Sequence, residues 1–86
     1  MRRIEQTYLN QLVAKTIKGS SNAFAELTAA VFQRHYRYLM LMLRNEAKVL
    51  ECLKKVYVQI LHNIAFLDNE ELYLVWSCRI CYKVCQ

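Results

Sequence analysis

Across its 86 residues the chain has no proline and a single glycine, Gly19. Those two residues are the usual means of turning a backbone sharply, so a fold that needs many turns is out of reach. A β-sandwich or barrel requires a turn every ten residues or so. Long uninterrupted helices require very few. The hydrophobic fraction, 56%, is ample for a core. The length suits one small domain, which must bury its apolar surface efficiently. The fold class implied is all-α, a compact bundle of about four helices.

The periodicity divides the chain into four segments. The first runs from about Ile4 to Lys18, with Ile4, Tyr8, Leu12 and Ile17 at helical spacing and Leu9 and Val13 beside them. It stops at Gly19, suited to the position after a helix end. Ser20, Ser21 and Asn22 supply N-cap side chains for the next helix. The second segment runs from about Asn22 to Arg44, with Phe24, Leu27, Val31, Tyr38 and Leu41 as its stripe. Arg44-Asn45 reads as a break, with Asn45 taking the left-handed conformation. The third segment, about Glu46 to Ala65, presents Val49, Leu53, Val56, Ile60 and Ile64. Residues 66–69 read as a loop. Asp68 or Asn69 then caps a fourth helix that runs to the end of the chain through Leu72, Val75, Trp76, Ile80 and Val84, with Glu70 and Glu71 in its first turn.

The net charge is +5, unevenly spread. Residues 1–45 hold seven Lys/Arg and two acids, whereas residues 46–86 hold five of each. An excess of cations suits nucleic acid, and is also common on ordinary domains. No apolar run approaches the roughly 18–20 residues that span a bilayer, so no membrane role is expected. The N-terminus lacks a signal-type apolar region, which points to the cytoplasm, where cysteines stay reduced.

Cys78, Cys81 and Cys85 crowd the last helix, and Cys78-x-x-Cys81 at a loop would suggest zinc. A fourth ligand would have to be Cys52, His35 or His62, each distant in sequence. Spacings of i, i+3 and i+7 instead put the three thiols on one helix face, where reduced cysteine packs as a small hydrophobe. No metal and no other cofactor is therefore expected. No catalytic set appears either: His35 and His62 lack a nucleophile at motif spacing, and no Gly-rich phosphate loop is present. The chain does not read as an enzyme. Cations and aromatics do interleave twice, in Arg34-His-Tyr-Arg-Tyr38 and in Tyr73, Trp76, Arg79, Tyr82 and Lys83. Exposed rings beside cations stack on unpaired bases and neutralise phosphates; the same rings could equally be core.

The order of residues resembles region 2 of bacterial RNA polymerase sigma factors, particularly the extracytoplasmic-function group. The family's G-D-x-x-A-F-x-x-L falls on Gly19-Ser-Ser-Asn-Ala23-Phe24-Ala-Glu-Leu27, keeping every anchor but the Asp. A Tyr in the middle of the family's second helix is matched by Tyr36. Its D-A-E-D-L-x-Q-x-x-F falls on Lys48-Val-Leu-Glu51-Cys-Leu-Lys54-Lys-Val-Tyr57. Its F-D, aromatic and W-L-x-x-I-A-x-N fall on Leu67-Asp68, Tyr73 and Trp76-Ser-Cys-Arg-Ile80-Cys-Tyr-Lys83. Residues 19–83 are covered without a gap, by motifs each of which is loose.

The resemblance implies a transcription initiation domain that binds core RNA polymerase, through the β′ clamp helices, and promoter DNA at the minus-ten element. Docking would use Leu50, Glu51, Lys54, Lys55 and Gln59. DNA would meet Phe66, Leu67, Asp68 and Asn69 in the loop, then Tyr73, Trp76, Arg79, Tyr82 and Lys83, although Trp76 suits a core position as well. An anti-sigma factor is a further partner of such proteins. The departures concern docking: Lys48, Leu50 and Lys54 stand where the family has an acid, a Glu and a Gln, and only Glu51 keeps a carboxylate. That patch suits a second kind of molecule, a helical interaction module without promoter activity that binds another regulator or self-associates through an uncovered apolar face. The family's second, helix-turn-helix domain is absent, so the chain reads either as the N-terminal part of a longer protein or as a shortened, diverged relative, and the pattern breaking off in mid-helix at Gln86 favours the first.

Overall fold

A computed structural model of the chain describes residues 6–85. Four α-helices carry the fold: α1 (Gln6–Ile17), α2 (Ser21–Leu43), α3 (Glu46–Asn63) and α4 (Tyr73–Val84). Two 3-10 turns, Ile64–Phe66 and Glu70–Leu72, connect α3 to α4. There is no strand among the described residues. No described helix is long and apolar enough to cross a membrane. Ile4 and Gln86, which the sequence reading includes in the first and last helices, lie outside the described residues.

The helix ends follow from local chemistry. Gly19 has φ +101°, the left-handed geometry that glycine adopts without a steric penalty. Its N–H bonds the Thr16 carbonyl at 2.9 Å, closing α1. Ser20 then caps α2, its Oγ accepting from the Ala23 N–H at 3.1 Å. At the next corner the left-handed residue is Arg44 (φ 51°) and not Asn45, a correction to the sequence reading. Asn45 is needed as the N-cap of α3, where its Oδ1 accepts from the Lys48 N–H at 3.0 Å. A capping residue is extended (φ −151°), which leaves the reversal to Arg44. Between α3 and α4, Asn69 caps the second 3-10 turn by accepting from the Glu71 N–H.

The helices pack in sequence order, α1 on α2, α2 on α3 and α3 on α4, and α2 also meets α4. The core line of α3 is as its periodicity implies: Val49, Leu53, Val56, Ile60 and the following Ile64 are all buried. Two lines differ from the sequence reading. On α2 the buried positions step by four through Ala23, Leu27, Val31, His35 and Leu39. Leu41 is left 78% exposed. On α4 the buried line is Tyr73, Ser77 and Cys81, continued by Cys85, while Leu72 and Val75 lie more than half exposed. Both lines contain a polar residue, His35 or Ser77, which a purely apolar pattern passes over.

The cysteines also differ. Cys52 of α3 and Cys85, just past α4, form a disulfide with Cα atoms 5.9 Å apart. That separation lies within the range a disulfide bridges. The reading of Cys85 as a reduced helix-face thiol is thereby corrected: α4 ends at Val84, and Cys85 meets the one cysteine that lies on a neighbouring helix. Cys78 and Cys81 are free, and Cys81 is buried. Alkylation under denaturing, non-reducing conditions should modify two of the four cysteines, and all four after reduction. Four modified without reductant would exclude the pairing.

Candidate nucleic-acid interface

On α2, Arg34, Arg37 and Tyr38 share one face, because residues three and four apart are helical neighbours. On α4, Val75, Cys78, Arg79 and Tyr82 do the same. Where the helices meet, these residues line a groove of about 650 Å³ together with Leu74 and Lys83. Its floor is Tyr38, Leu74, Val75, Cys78 and Tyr82, and its cations are Arg34, Arg37, Arg79 and Lys83. Among the described residues no acidic side chain lines it. All four cations are exposed, and none of them has a salt bridge; among the described residues Lys54–Glu51 is the one ion pair. The two cation–aromatic stretches of the sequence, some forty residues apart, thus meet in one place.

A buried polar contact beneath the groove holds α2 and α4 together. His35, next to Arg34, and Ser77, next to Cys78, are both fully buried, with His35 Nε2 2.8 Å from Ser77 Oγ. On its other side His35 Nδ1 lies 3.2 Å from the Tyr57 hydroxyl of α3. Ser77 donates its proton to the Leu74 carbonyl at 3.1 Å. One tautomer satisfies every group: Tyr57 donates to Nδ1, and Nε2–H donates to Ser77. Burial lowers the His35 pKa to about 4, so the imidazole is neutral. A serine beside an imidazole can be a catalytic pair, but these two have no solvent access, and the serine proton is engaged with a carbonyl. They form a strap joining three helices. At the groove, burial raises the Cys78 pKa, opposed by the nearby Arg34, and burial raises that of Cys81 as well. Both are neutral thiols, and neither is an activated nucleophile. Among the described residues no three metal-ligating side chains converge.

The DNA-facing set of the sequence reading is divided by the fold. Arg79, Tyr82 and Lys83 lie in the α2/α4 groove. Phe66 and Trp76 lie in a second groove of about 440 Å³, lined also by Gln59, Asn63, Ile80 and Lys83, so that Lys83 borders both. Asp68 and Asn69 are exposed, while Leu67 is partly buried against the core. Tyr73 is a correction: it is fully buried and cannot face DNA. Its place at the start of α4, on the line of Ser77 and Cys81, points it inward. The docking set is on the surface, with Leu50, Glu51, Lys54, Lys55 and Gln59 all exposed on α3. There Glu51 is paired with Lys54 at 3.6 Å, an exposed contact worth roughly 0–1 kcal/mol.

Arg34, Arg37, Tyr38, Leu74, Val75 and Cys78 were not among the sequence-predicted site residues. The interleaving of cations and rings in 34–38 was the available signal; only the packing of α2 on α4 joins it to the other stretch.

No protein-family model matches the chain, no curated protein matches its sequence, and no solved structure matches it.

Proposed function

We propose that the domain binds single-stranded DNA in the α2/α4 groove, as part of a sigma-like role in transcription initiation with core RNA polymerase and promoter minus-ten DNA as partners. The observation that carries the first half is the convergence of two cation–aromatic stretches on one groove that no acid among the described residues lines. Four cations without a salt bridge among the described residues suit a phosphate backbone, and the groove is lined by two aromatic side chains, Tyr38 and Tyr82, of the kind on which unpaired bases stack. The second groove, with Phe66 and Trp76, adds two further rings on the other side of Lys83.

The transcriptional half rests on the order of the sigma-like motifs and on the exposure of the α3 docking positions. The role belongs in the cytoplasm, a compartment in which disulfides are uncommon. The Cys52–Cys85 pair weighs against permanent residence in a reducing environment. The α3 surface favours the second reading, an interaction module without promoter activity. Lys48, Lys54 and Lys55 make it cationic, and its one retained docking carboxylate is already paired with Lys54.

Retention on immobilised core polymerase separates the two. The sigma-like role predicts retention at low salt and at least about tenfold weaker retention for Glu51→Arg, since a charge reversal that juxtaposes like charges at an interface costs on the order of several kcal/mol. No retention of the wild-type chain would remove the polymerase role and leave the groove's nucleic-acid binding to be judged by itself.

A further inference from the structure

We infer that the α2/α4 groove also binds a single-chain anionic amphiphile: one alkyl chain carrying a carboxylate or phosphate head. This goes beyond the nucleic-acid reading and does not depend on it. Beside Tyr38 and Tyr82 the uncharged lining is aliphatic or thiol, made by Leu74, Val75 and Cys78. These side chains present no ring face to a base and no hydrogen-bonding group strong enough to satisfy a polar ligand. A hydrocarbon chain needs neither. The volume, about 650 Å³, falls within the range of small-molecule sites, roughly 300–1,000 Å³. Val75 and Tyr82 are each about half exposed on this concave surface, so an occupant that covers them removes apolar area from water. The charge at the groove selects the head. Arg34 and Arg37 come from α2, Arg79 and Lys83 from α4, and none has a salt-bridge partner among the described residues. An anionic head is complementary to them, and a cationic head is repelled.

Calorimetric titration with octyl, decyl and dodecyl phosphate, each kept below its micelle concentration, tests this. One ligand should bind per chain. Affinity should rise about fourfold for every two methylenes, the value for half-burial of each in an open groove. Val75→Asp places a carboxylate on the floor at an exposed position that tolerates it, and should weaken binding at least tenfold. Arg34→Gln with Arg37→Gln should do the same from the head side. Inorganic phosphate and dodecyltrimethylammonium should not bind measurably, since each lacks one of the two required parts.

Affinity independent of chain length would overturn the inference. So would equal binding of the cationic surfactant, or insensitivity to both sets of substitutions with the helical circular dichroism intact. Binding to anionic vesicles without binding to the monomer would also overturn it, because that is adsorption to a surface and not occupation of a groove. A single-stranded oligonucleotide keeps the two readings apart. If the oligonucleotide binds and dodecyl phosphate does not, this inference fails and the nucleic-acid reading stands. If only the amphiphile binds, the reverse holds. If both bind, each should displace the other; an oligonucleotide bound in the groove that saturating dodecyl phosphate leaves in place would overturn the shared site.

Discussion

Replacing Arg34, Arg37, Arg79 and Lys83 together with glutamine should weaken single-stranded DNA binding by roughly 100-fold or more at low salt, and should nearly abolish its dependence on salt. Neutralising a phosphate on a single strand contributes a slope of about −0.7 to the logarithm of affinity against the logarithm of salt concentration. Four contacts give a slope of about −3, so the wild-type chain should lose about 50-fold in affinity between 50 and 200 mM salt. The variant should lose little over the same range, because the contacts that release counterions are gone. All four side chains are exposed and unpaired, so the fold should survive their replacement. Fluorescence anisotropy of a labelled 12-residue oligonucleotide, with circular dichroism as the folding control, measures both effects. A variant with wild-type affinity and slope would place the binding surface elsewhere.

The helices themselves were legible in the sequence, and the site was legible only in pieces. Proline is absent and glycine is confined to Gly19, so the number and approximate limits of the segments followed from hydrophobic spacing. Capping of α2 by Ser20 followed from side-chain chemistry, whereas Asn69 caps the 3-10 turn Glu70–Leu72 and not α4, which begins at Tyr73 without a side-chain cap. The faces of α2 and α4 were harder. Each buries a polar residue, and His35 satisfies Ser77 across 42 residues of sequence. A stripe drawn through apolar residues alone therefore shifts onto Leu41, Leu72 and Val75, which the packing leaves in the open. Tyr73, which the resemblance places toward DNA, is fully buried. The disulfide was hidden for a related reason. Cys52 is 33 positions from Cys85, and the i, i+3, i+7 spacing of Cys78, Cys81 and Cys85 describes a helix face and carries no information about a partner on α3. The groove depends on which face of α2 meets α4, a tertiary fact that neither stretch encodes alone.

Acid should destabilise the domain through His35. Its folded-state pKa is held near 4 by burial, against an ordinary value of 6.5. Between those two values the unfolded chain binds a proton that the folded chain refuses, so unfolding becomes easier as the pH falls. The contribution is fully present above about pH 6.5, declines below it and levels off below about pH 4. Over that window it amounts to about 3 kcal/mol, at roughly 1.4 kcal/mol for each unit of pKa displacement. Such a loss is a large share of the stability of a small domain. His35→Leu fills a similar volume and cannot titrate. It should cost on the order of 1–2 kcal/mol at pH 7, through the Tyr57 hydroxyl bond and the strap it removes. The acid-dependent loss of stability should shrink by the amount assigned to the imidazole. Urea denaturation at pH 7, 5.5 and 4.5, for the wild-type chain and His35→Leu, yields the comparison. Parallel declines in the two proteins would show that carboxylates, not His35, govern the acid response.

The most direct test of the central claim is the pattern of backbone amide shifts when a single-stranded oligonucleotide is titrated into isotopically labelled protein at low salt. Binding in the α2/α4 groove predicts that amides of residues 34–38 and 74–83 move together and saturate at one strand per chain, while those of α1 stay in place. Saturable shifts confined to α1 or to the exposed face of α3, or no shifts at all, would contradict it.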